Sequence, residues 1–278
     1  MGKGKSRQPA AKPEGIRNNA NLEFILEQAI ALLKQGQLVA AEVYFRQLLA
    51  ADPRHLDALQ LLGVIEYQKG RFELAAELLQ LAVNMAPDEP GLLCNLGLAL
   101  QQLGRSEQAL ACLERALVLK PDSVEALNNR GNVLRELKRM DEAAASYQQA
   151  LRHRPGFVEA LHNLGMTHIA LQQPELALAC LARCLRIDPR HLGASGQYGV
   201  ALLALKRPRE ALDYFLRVVK SSPNDAEAHY WSGNALLGMD RPEEALASYL
   251  RAAHINPDIP EIHYNLACVL VDLERQEE

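Results

Sequence analysis

Amide side chains recur in this sequence at one fixed interval, and an amide can bind a peptide backbone. The interval is 34 residues, and the six positions of this amide register carry, in order, Asn95, Asn129, Asn163, Gln197, Trp231 and Asn265. An amide offers both a donor and an acceptor, which is the pair of groups that an extended peptide presents. Asparagine inside a helix also costs roughly half a kcal/mol relative to alanine. A series of asparagines therefore needs a reason, either the packing between duplicated units or the binding of a peptide.

Histidines and cysteines, by contrast, form no catalytic or metal-binding pattern in the sequence. The chain contains neither H-E-x-x-H nor C-x-x-C, and its histidines are not spaced as ligands on one helical turn. Cys184 follows Cys180 on one helix face, but it falls in a small-residue register that is alanine in four other repeats, so we assign it to packing. His229 and His263 replace a recurring leucine, and we interpret them as core or lining residues. We predict no metal, no cofactor and no catalytic residue.

Three other residue types repeat at the same interval and define the elements that carry the amide register. The prolines are Pro53, Pro87, Pro121, Pro155, Pro189, Pro223 and Pro257. The glycines are Gly63, Gly97, Gly131, Gly165, Gly199 and Gly233. The alanines are Ala41, Ala75, Ala109, Ala143, Ala177, Ala211 and Ala245. A repeat of this length with these landmarks is typical of a helix-turn-helix solenoid unit.

The repeat from Val124 to Pro155 shows the physical reasons for these landmarks. Its apolar residues at helical spacing predict two amphipathic helices. Gly131 and Ala143 are small, which suits a site where two helix backbones come too close for a larger side chain. Pro155 follows the second helix because proline cannot continue a helix. Polar residues after the prolines are expected to cap the next first helix, namely Asp88, Asp122, Asn224 and Asp258.

This unit resembles the tetratricopeptide repeat (TPR), whose family pattern is W-x2-L-G-x2-Y, then A-x3-F, then A and P. The pattern falls on Leu127, Arg130, Gly131, Leu134, Ala143, Tyr147, Ala150 and Pro155, and Arg130 departs from it. The resemblance covers nearly the whole chain. It implies an all-α fold, a right-handed TPR solenoid of seven 34-residue helix-turn-helix repeats plus the first helix of an eighth. The repeats are predicted to start near residues 22, 56, 90, 124, 158, 192 and 226, with the partial one at 260.

In this family the first helices line a concave groove, and the resemblance places the amide register on that surface. The array is similar to the N-terminal TPR superhelix of O-linked N-acetylglucosamine transferases, in which groove asparagines hold peptide backbone independently of sequence. Tyr230 lies beside Trp231, and aromatic side chains often dominate binding at such surfaces. The predicted peptide-binding residues are Asn95, Asn129, Asn163, Gln197, Tyr230, Trp231 and Asn265.

Another TPR class binds the C-terminal carboxylates of chaperones through a clamp that contains lysine. At the corresponding positions this chain carries acids, namely Asp57, Glu125, Glu159, Glu227 and Glu261. Acids also suit the N-terminus of a helix. If these residues select a ligand, that ligand is basic or neutral.

Three functions of different classes agree with this pattern. We favour a protein–protein interaction scaffold that binds an extended peptide segment of a partner in the concave groove. The first alternative is the substrate-recognition arm of a larger O-linked glycosyltransferase, with its catalytic domain beyond residue 278. The second alternative is an architectural spacer. The chain itself is not predicted to be an enzyme, whereas the activity of a longer parent protein stays open.

Charge and cysteine usage narrow the partners and the compartment. The net charge of −4 and the pI near 6.1 give no electrostatic footprint for nucleic acid. The five cysteines occupy helix positions, which predicts reduced thiols in the cytoplasm. Residues 1–20 are basic and contain Pro9 and Pro13, which predicts a disordered tail ahead of a solenoid over residues 21–278. The apolar runs are too short to span a membrane.

Two repeats depart from the regular pattern. The eighth stops at Glu278, before the alanine expected at 279, and its helix is too apolar for a terminal repeat. We therefore expect the chain to be a fragment whose apolar C-terminal edge favours self-association. The sixth repeat adds Gly193 and Gly196 to Gly199. Two extra glycines cost about 2 kcal/mol of helix propensity, so we expect easier local opening there, unless these glycines clear space for a ligand or for Trp231.

Overall fold

The computed structural model describes the backbone of residues 14–277 and the side chains of residues 21–274. The regular elements in that range are α-helices. The first six are α1 (Glu14–Lys34), α2 (Leu38–Ala51), α3 (Leu56–Gln68), α4 (Phe72–Met85), α5 (Pro90–Gln102) and α6 (Ser106–Leu119). They are followed by α7 (Val124–Glu136), α8 (Met140–His153), α9 (Val158–Ala170), α10 (Pro174–Ile187), α11 (Leu192–Ala204), α12 (Pro208–Ser221), α13 (Ala226–Leu237), α14 (Pro242–Ile255) and α15 (Pro260–Glu277).

These helices belong to two compact units, residues 1–121 and residues 122–278. The first unit contains three consecutive helix pairs, α1 to α6, and the second contains four pairs, α7 to α14, followed by α15. The predicted all-α architecture of seven helix-turn-helix repeats and the first helix of an eighth is confirmed. The predicted tail lies outside the described residues as far as residue 13, and α1 begins at Glu14, ahead of the boundary predicted at residue 21.

The recurring glycine of the first helix marks where the second helix packs most closely. A Cβ atom built on Gly131 would lie 2.5 Å from the ring of Tyr147, and one built on Gly97 would lie 3.0 Å from Leu113. A side chain of the second helix therefore fills the volume that a Cβ would need. Ala143, from the alanine series on the second helices, is fully buried. Both small residues serve the close helix approach that the sequence indicated.

The turn inside each repeat contains one residue with a positive φ angle, and its residue type differs between the units. In the first unit this residue is glycine, with φ of +74°, +74° and +69° at Gly36, Gly70 and Gly104. In the second unit φ is +61°, +57°, +56° and +58° at Lys138, Gln172, Lys206 and Asp240. A left-handed backbone costs a residue with a side chain about 1–2 kcal/mol. The turns of the second unit are therefore the more strained ones.

The caps of the first helices lie one residue later than predicted. Ser123 and Asp225 cap α7 and α13, and each accepts a hydrogen bond from the backbone N–H three residues further on, at 3.4 and 2.9 Å. Glu89 caps α5. An N-cap must take an extended conformation directly before the helix, and the residue after the proline still belongs to the turn. Asp88, Asp122 and Asn224 each lie one residue before the observed cap, and Asp258 lies two residues before the start of α15.

Candidate functional site

The amide register lies on the first helices, from the third repeat onward. In the first unit it is represented by Asn95 on α5. In the second unit it comprises Asn129 on α7, Asn163 on α9, Gln197 on α11, Trp231 on α13 and Asn265 on α15. All six side chains are partly exposed, so solvent reaches every position of the register.

The side chain of Asn163 is bound to the preceding repeat. Its amide nitrogen donates to the Oδ1 atoms of Asn128, at 3.1 Å, and Asn132, at 3.0 Å. Asn132 Oδ1 also accepts a hydrogen bond from the hydroxyl of Tyr147, at 2.7 Å. Both N–H groups of Asn163 are therefore used between repeats, and its own Oδ1 atom is the group left for a ligand.

The same arrangement recurs at the end of the second unit. Asn265 donates to Asn234 Oδ1, at 2.9 Å, and to the hydroxyl oxygen of Tyr230, at 3.4 Å. Asn234 Oδ1 accepts from the hydroxyl of Tyr249, at 2.6 Å. Burial raises the pKa of Tyr249 to about 12, and that of its counterpart Tyr147 to about 12 as well, so both remain protonated donors at neutral pH. The arrangement therefore joins α7 to α9 and α13 to α15.

These two networks contain residues that the sequence argument missed, although the sequence carries a signal for them. Tyrosine replaces the phenylalanine or leucine of its register at Tyr147 and Tyr249. In the same two repeats asparagine replaces an apolar residue or cysteine at Asn132 and Asn234. Because a buried tyrosine hydroxyl needs an acceptor, the joint occurrence of the two polar residues indicates a contact.

Other members of the register keep their amides available. Asn95, Asn129 and Gln197 form no side-chain hydrogen bond with any residue that the structure describes. Each of them therefore presents both a donor and an acceptor on a first helix. The asparagines are equivalent in the sequence pattern, whereas the structure divides them into two inter-repeat bridges, Asn163 and Asn265, and two residues with unused amides, Asn95 and Asn129.

Trp231 is held by aromatic and polar neighbours. Its ring is stacked with that of Phe215, with centroids 6.4 Å apart and planes at 17°. Tyr230 approaches it edge-on, with centroids 5.1 Å apart. The indole Nε1–H donates to Glu227 Oε1, at 3.2 Å. These contacts fix the ring while it remains partly exposed on α13.

A small pocket, here called the glycine pocket, lies between α11 and α13 beside Trp231. Its volume is about 110 Å³, and its lining includes Gly193, Gly196, Val200, Phe215 and Trp231. A Cβ atom on Gly196 would meet no atom within 4 Å, so the missing side chain leaves open space in this pocket. The extra glycines of the sixth repeat thus border a cavity of a size suited to part of one apolar side chain.

A larger pocket, here called the acidic pocket, lies at α13 and the start of α15. Its volume is about 380 Å³, and it is lined by Glu227, Tyr230, Trp231, Ile259 and Glu261. Trp231 and Glu227 line both pockets. The predicted aromatic residues Tyr230 and Trp231 therefore meet at one site, whereas the free amide of Asn129 lies three repeats earlier.

Two histidines pack against each other beside α11. The rings of His162 and His191 have centroids 4.7 Å apart. Burial, followed by the charges of His191 and Arg135, lowers the pKa of His162 to about 4, so His162 is neutral at pH 7. Within residues 21–274, no group of three or more histidine, cysteine, aspartate or glutamate side chains could hold a metal ion.

The histidines at the leucine register contact the turn before their own helix. His229 and His263 are hydrogen-bonded through Nε2 to the carbonyl oxygens of Pro223, at 3.1 Å, and Pro257, at 2.7 Å. They hold the turn that precedes their own helix. His263 is exposed and His229 is partly exposed, so neither is a core residue, and each ring reaches back to the turn instead of inward.

Sequence similarity assigns the chain to a family. Tetratricopeptide repeat models match residues 26–90, 94–156 and 199–260, and a second such model matches residues 134–191. The matched segments cover more than half of the chain, so the chain belongs to the tetratricopeptide repeat family, and the predicted resemblance is confirmed. No curated protein sequence is significantly similar to it.

Several solved TPR structures are similar to this chain. YrrB, described as a TPR protein with an unusual peptide-binding site, is 28% identical, with 68% of this chain and 97% of YrrB covered and a TM-score of 0.58. A TPR protein from Parabacteroides merdae is 19% identical, with 90% and 98% covered and a TM-score of 0.68. PilF from Pseudomonas aeruginosa is 20% identical, with 76% and 96% covered and a TM-score of 0.68. The last two support the fold alone.

The cysteines of the chain are not paired in disulfides. All five cysteines are free. Burial raises the pKa of the Cys184 thiol to about 11, which disfavours the reactive thiolate there. Among the described helices, none has the length and apolar content needed to cross a membrane.

Proposed function

We propose that this chain is a non-enzymatic scaffold that binds an extended segment of a partner protein along its first helices. TPR proteins are generally interaction scaffolds, and the similar protein YrrB is described as having a peptide-binding site. The observation that carries the proposal is Trp231, a large aromatic ring at a position that carries an amide in five other repeats, with a pocket on each side. Aromatic anchors that become buried on binding dominate the energetics of many interfaces.

The unused amides suit the backbone of such a segment. In this proposal Asn129 and Gln197 each hold one peptide group through a donor and an acceptor. Asn163 and Asn265 contribute through their Oδ1 atoms, because their N–H groups bind the preceding repeat. Asn95 plays the same part as Asn129 within the first unit. An apolar side chain of the partner occupies the glycine pocket beside Trp231.

Binding to an array of immobilised randomised dodecapeptides tests this function. We expect the wild-type chain to retain a subset of peptides, and W231A to weaken their binding by at least tenfold, as truncation of an aromatic anchor does. The matched control is Y264A, which removes an aromatic side chain of α15 that is 72% exposed and lines neither pocket. Retention of no peptide, or equal binding by W231A and the wild type, would refute the proposal.

The substrate-recognition arm of an O-linked glycosyltransferase is the second candidate. The feature that favours it is the free amides on the first helices, which suit the donor and acceptor of a peptide backbone whatever its side chains. Such an arm would retain peptides with little dependence on sequence, whereas a dedicated scaffold would retain a restricted set. The same array therefore distinguishes the two candidates, and a spacer would retain none.

We also infer self-association through α15. Three of its side chains, Tyr264, Leu270 and Val271, are 72%, 43% and 46% exposed. Burial of apolar surface stabilises a complex by roughly 25 cal/mol per Å². Light scattering should show dimers of the wild type at high concentration and a monomer for L270E/V271E. A wild-type monomer at every concentration would contradict this inference.

The compartment we propose is the cytoplasm. The support is chemical, because five free thiols on helices are stable in a reducing compartment and are oxidised elsewhere. Thiol titration of the protein isolated from its source under alkylating conditions should find five reduced cysteines, and disulfide-linked species would contradict the assignment.

A further inference from the structure

The acidic pocket combines two carboxylates with two aromatic rings. Glu227 and Glu261 supply negative charge, and Tyr230 and Trp231 supply ring faces, while Ile259 closes the apolar side. The indole N–H of Trp231 donates to Glu227, which holds the carboxylate and the ring together as one unit. The five lining residues include no lysine or arginine.

The charge in this pocket is not compensated by the chain. Neither Glu227 nor Glu261 forms an ion pair with a residue in the described range. In α7 the residue of the same register, Glu125, forms an ion pair with Arg154, at 2.8 Å. The position of Arg154 is occupied three repeats later by Asn256, which carries no charge. Glu227 therefore lacks the cation that pairs with the equivalent glutamate of α7.

Uncompensated carboxylates beside an aromatic face favour one chemical class of ligand. A cation over a tryptophan face is attracted by the ring quadrupole, and tryptophan is the best of the aromatic residues in this respect. An arginine side chain can stack on the ring and donate to a carboxylate at the same time. An acidic or phosphorylated side chain would be repelled by both glutamates.

We propose that the acidic pocket binds a lysine or arginine side chain of the partner segment, with its charged group between the aromatic rings and the carboxylates of Glu227 and Glu261. This inference rests on the proposed peptide-binding function. This combination of side chains occurs once in the sequence, because Trp231 is its single tryptophan.

The two pockets beside Trp231 also set the spacing of the residues that they select. The glycine pocket lies on the α11 side of α13 and the acidic pocket on the α15 side. Packed helices are spaced about 8–10 Å apart, and an extended chain advances about 3.3 Å per residue. The partner segment therefore carries an apolar residue and a basic residue about three positions apart.

The same randomised dodecapeptide array tests this specificity. We expect the peptides that the wild-type chain retains to be enriched in lysine and arginine about three positions from an apolar residue. Replacing that basic residue by glutamine should weaken binding about tenfold, from the loss of a cation–π contact and a surface ion pair. The difference should shrink when the salt concentration is raised to about 1 M, because exposed charges are screened.

Two variants of equal charge supply the control. E227Q/E261Q should abolish the preference for basic peptides, whereas E107Q/E175Q removes the same charge from exposed positions on the second helices α6 and α10 and should preserve it. All four glutamates are exposed, so folding is not at risk. Retained peptides without basic enrichment, or with enrichment that survives in E227Q/E261Q, would overturn the inference and leave the scaffold function standing. Retention of no peptide would overturn both.

Discussion

The clearest energetic prediction contrasts two asparagines of the same register. N163A removes hydrogen bonds of 3.1 and 3.0 Å to the preceding repeat and leaves the buried Oδ1 atom of Asn128 without its donor. Each net hydrogen bond contributes about 1 kcal/mol, and the better helix propensity of alanine offsets about 0.5 kcal/mol. The expected loss in the free energy of unfolding is therefore about 1.5 kcal/mol.

N129A is the matched control for this prediction. Asn129 forms no side-chain hydrogen bond with the described residues, so its replacement by alanine should stabilise the chain by about 0.5 kcal/mol. The two variants should consequently differ by about 2 kcal/mol. N163D, which keeps the acceptors and loses the donors, should behave like N163A.

Urea unfolding followed by far-UV circular dichroism measures the difference. Because repeat arrays can lose cooperativity, amide hydrogen exchange of α9 should accompany it and report the local loss. Equal stability of N163A and N129A would refute the inter-repeat role of Asn163. Loss of peptide binding in N129A without loss of stability would support a ligand role for the unused amide.

Further predictions concern the turns, the glycines and the histidine pair. K138G should raise the free energy of unfolding by about 1 kcal/mol, and with it the melting temperature, because glycine adopts the positive φ of that turn without strain. G131A should destabilise by about 1–3 kcal/mol through overlap with a tyrosine ring, whereas G196A should stabilise α11 by about 1 kcal/mol and weaken peptide binding by filling the glycine pocket. Because the pKa of His162 is lowered to about 4 from 6.5, the unfolded chain binds more protons between these values. The stability from the neutral ring should thus be complete above pH 6.5 and be lost as pH falls toward 4, and H162N should flatten that dependence in urea titrations. Amide hydrogen exchange should be faster in α11 than in α7, and equal rates would contradict the expected easier local opening of the sixth repeat.

The repeat frame is largely predictable from the sequence because each landmark has a local cause. Proline stops a helix wherever it stands, and glycine is required where Tyr147 or Leu113 fills the space of a Cβ atom. Glycine also recurs at Gly36, Gly70 and Gly104, and this recurrence in the sequence indicates a turn with a positive φ angle. The positive φ angle at Lys138 could not be predicted from the sequence, because lysine has no preference for that conformation.

The candidate site is less predictable because it depends on contacts between repeats. A one-dimensional register presents Asn129 and Asn163 as equals, whereas the hydrogen bonds of Asn163 depend on which residues the neighbouring helix places opposite it. The pockets beside Trp231 likewise arise from glycine at Gly196 and from the carboxylate of Glu261, which belong to different repeats. Registers within one helix cannot reveal such combinations.

The central claim is that a partner segment binds at Trp231, and the fluorescence of this residue tests it most directly. Trp231 is the single tryptophan of the chain, so its emission reports on the two pockets without a label. Titration with the best-retained array peptide should change the emission of Trp231 until it saturates. This change should occur over the same range of peptide concentration as binding does on the array. A peptide that binds with the same affinity and leaves the emission of Trp231 unchanged would place the binding site elsewhere and contradict the claim.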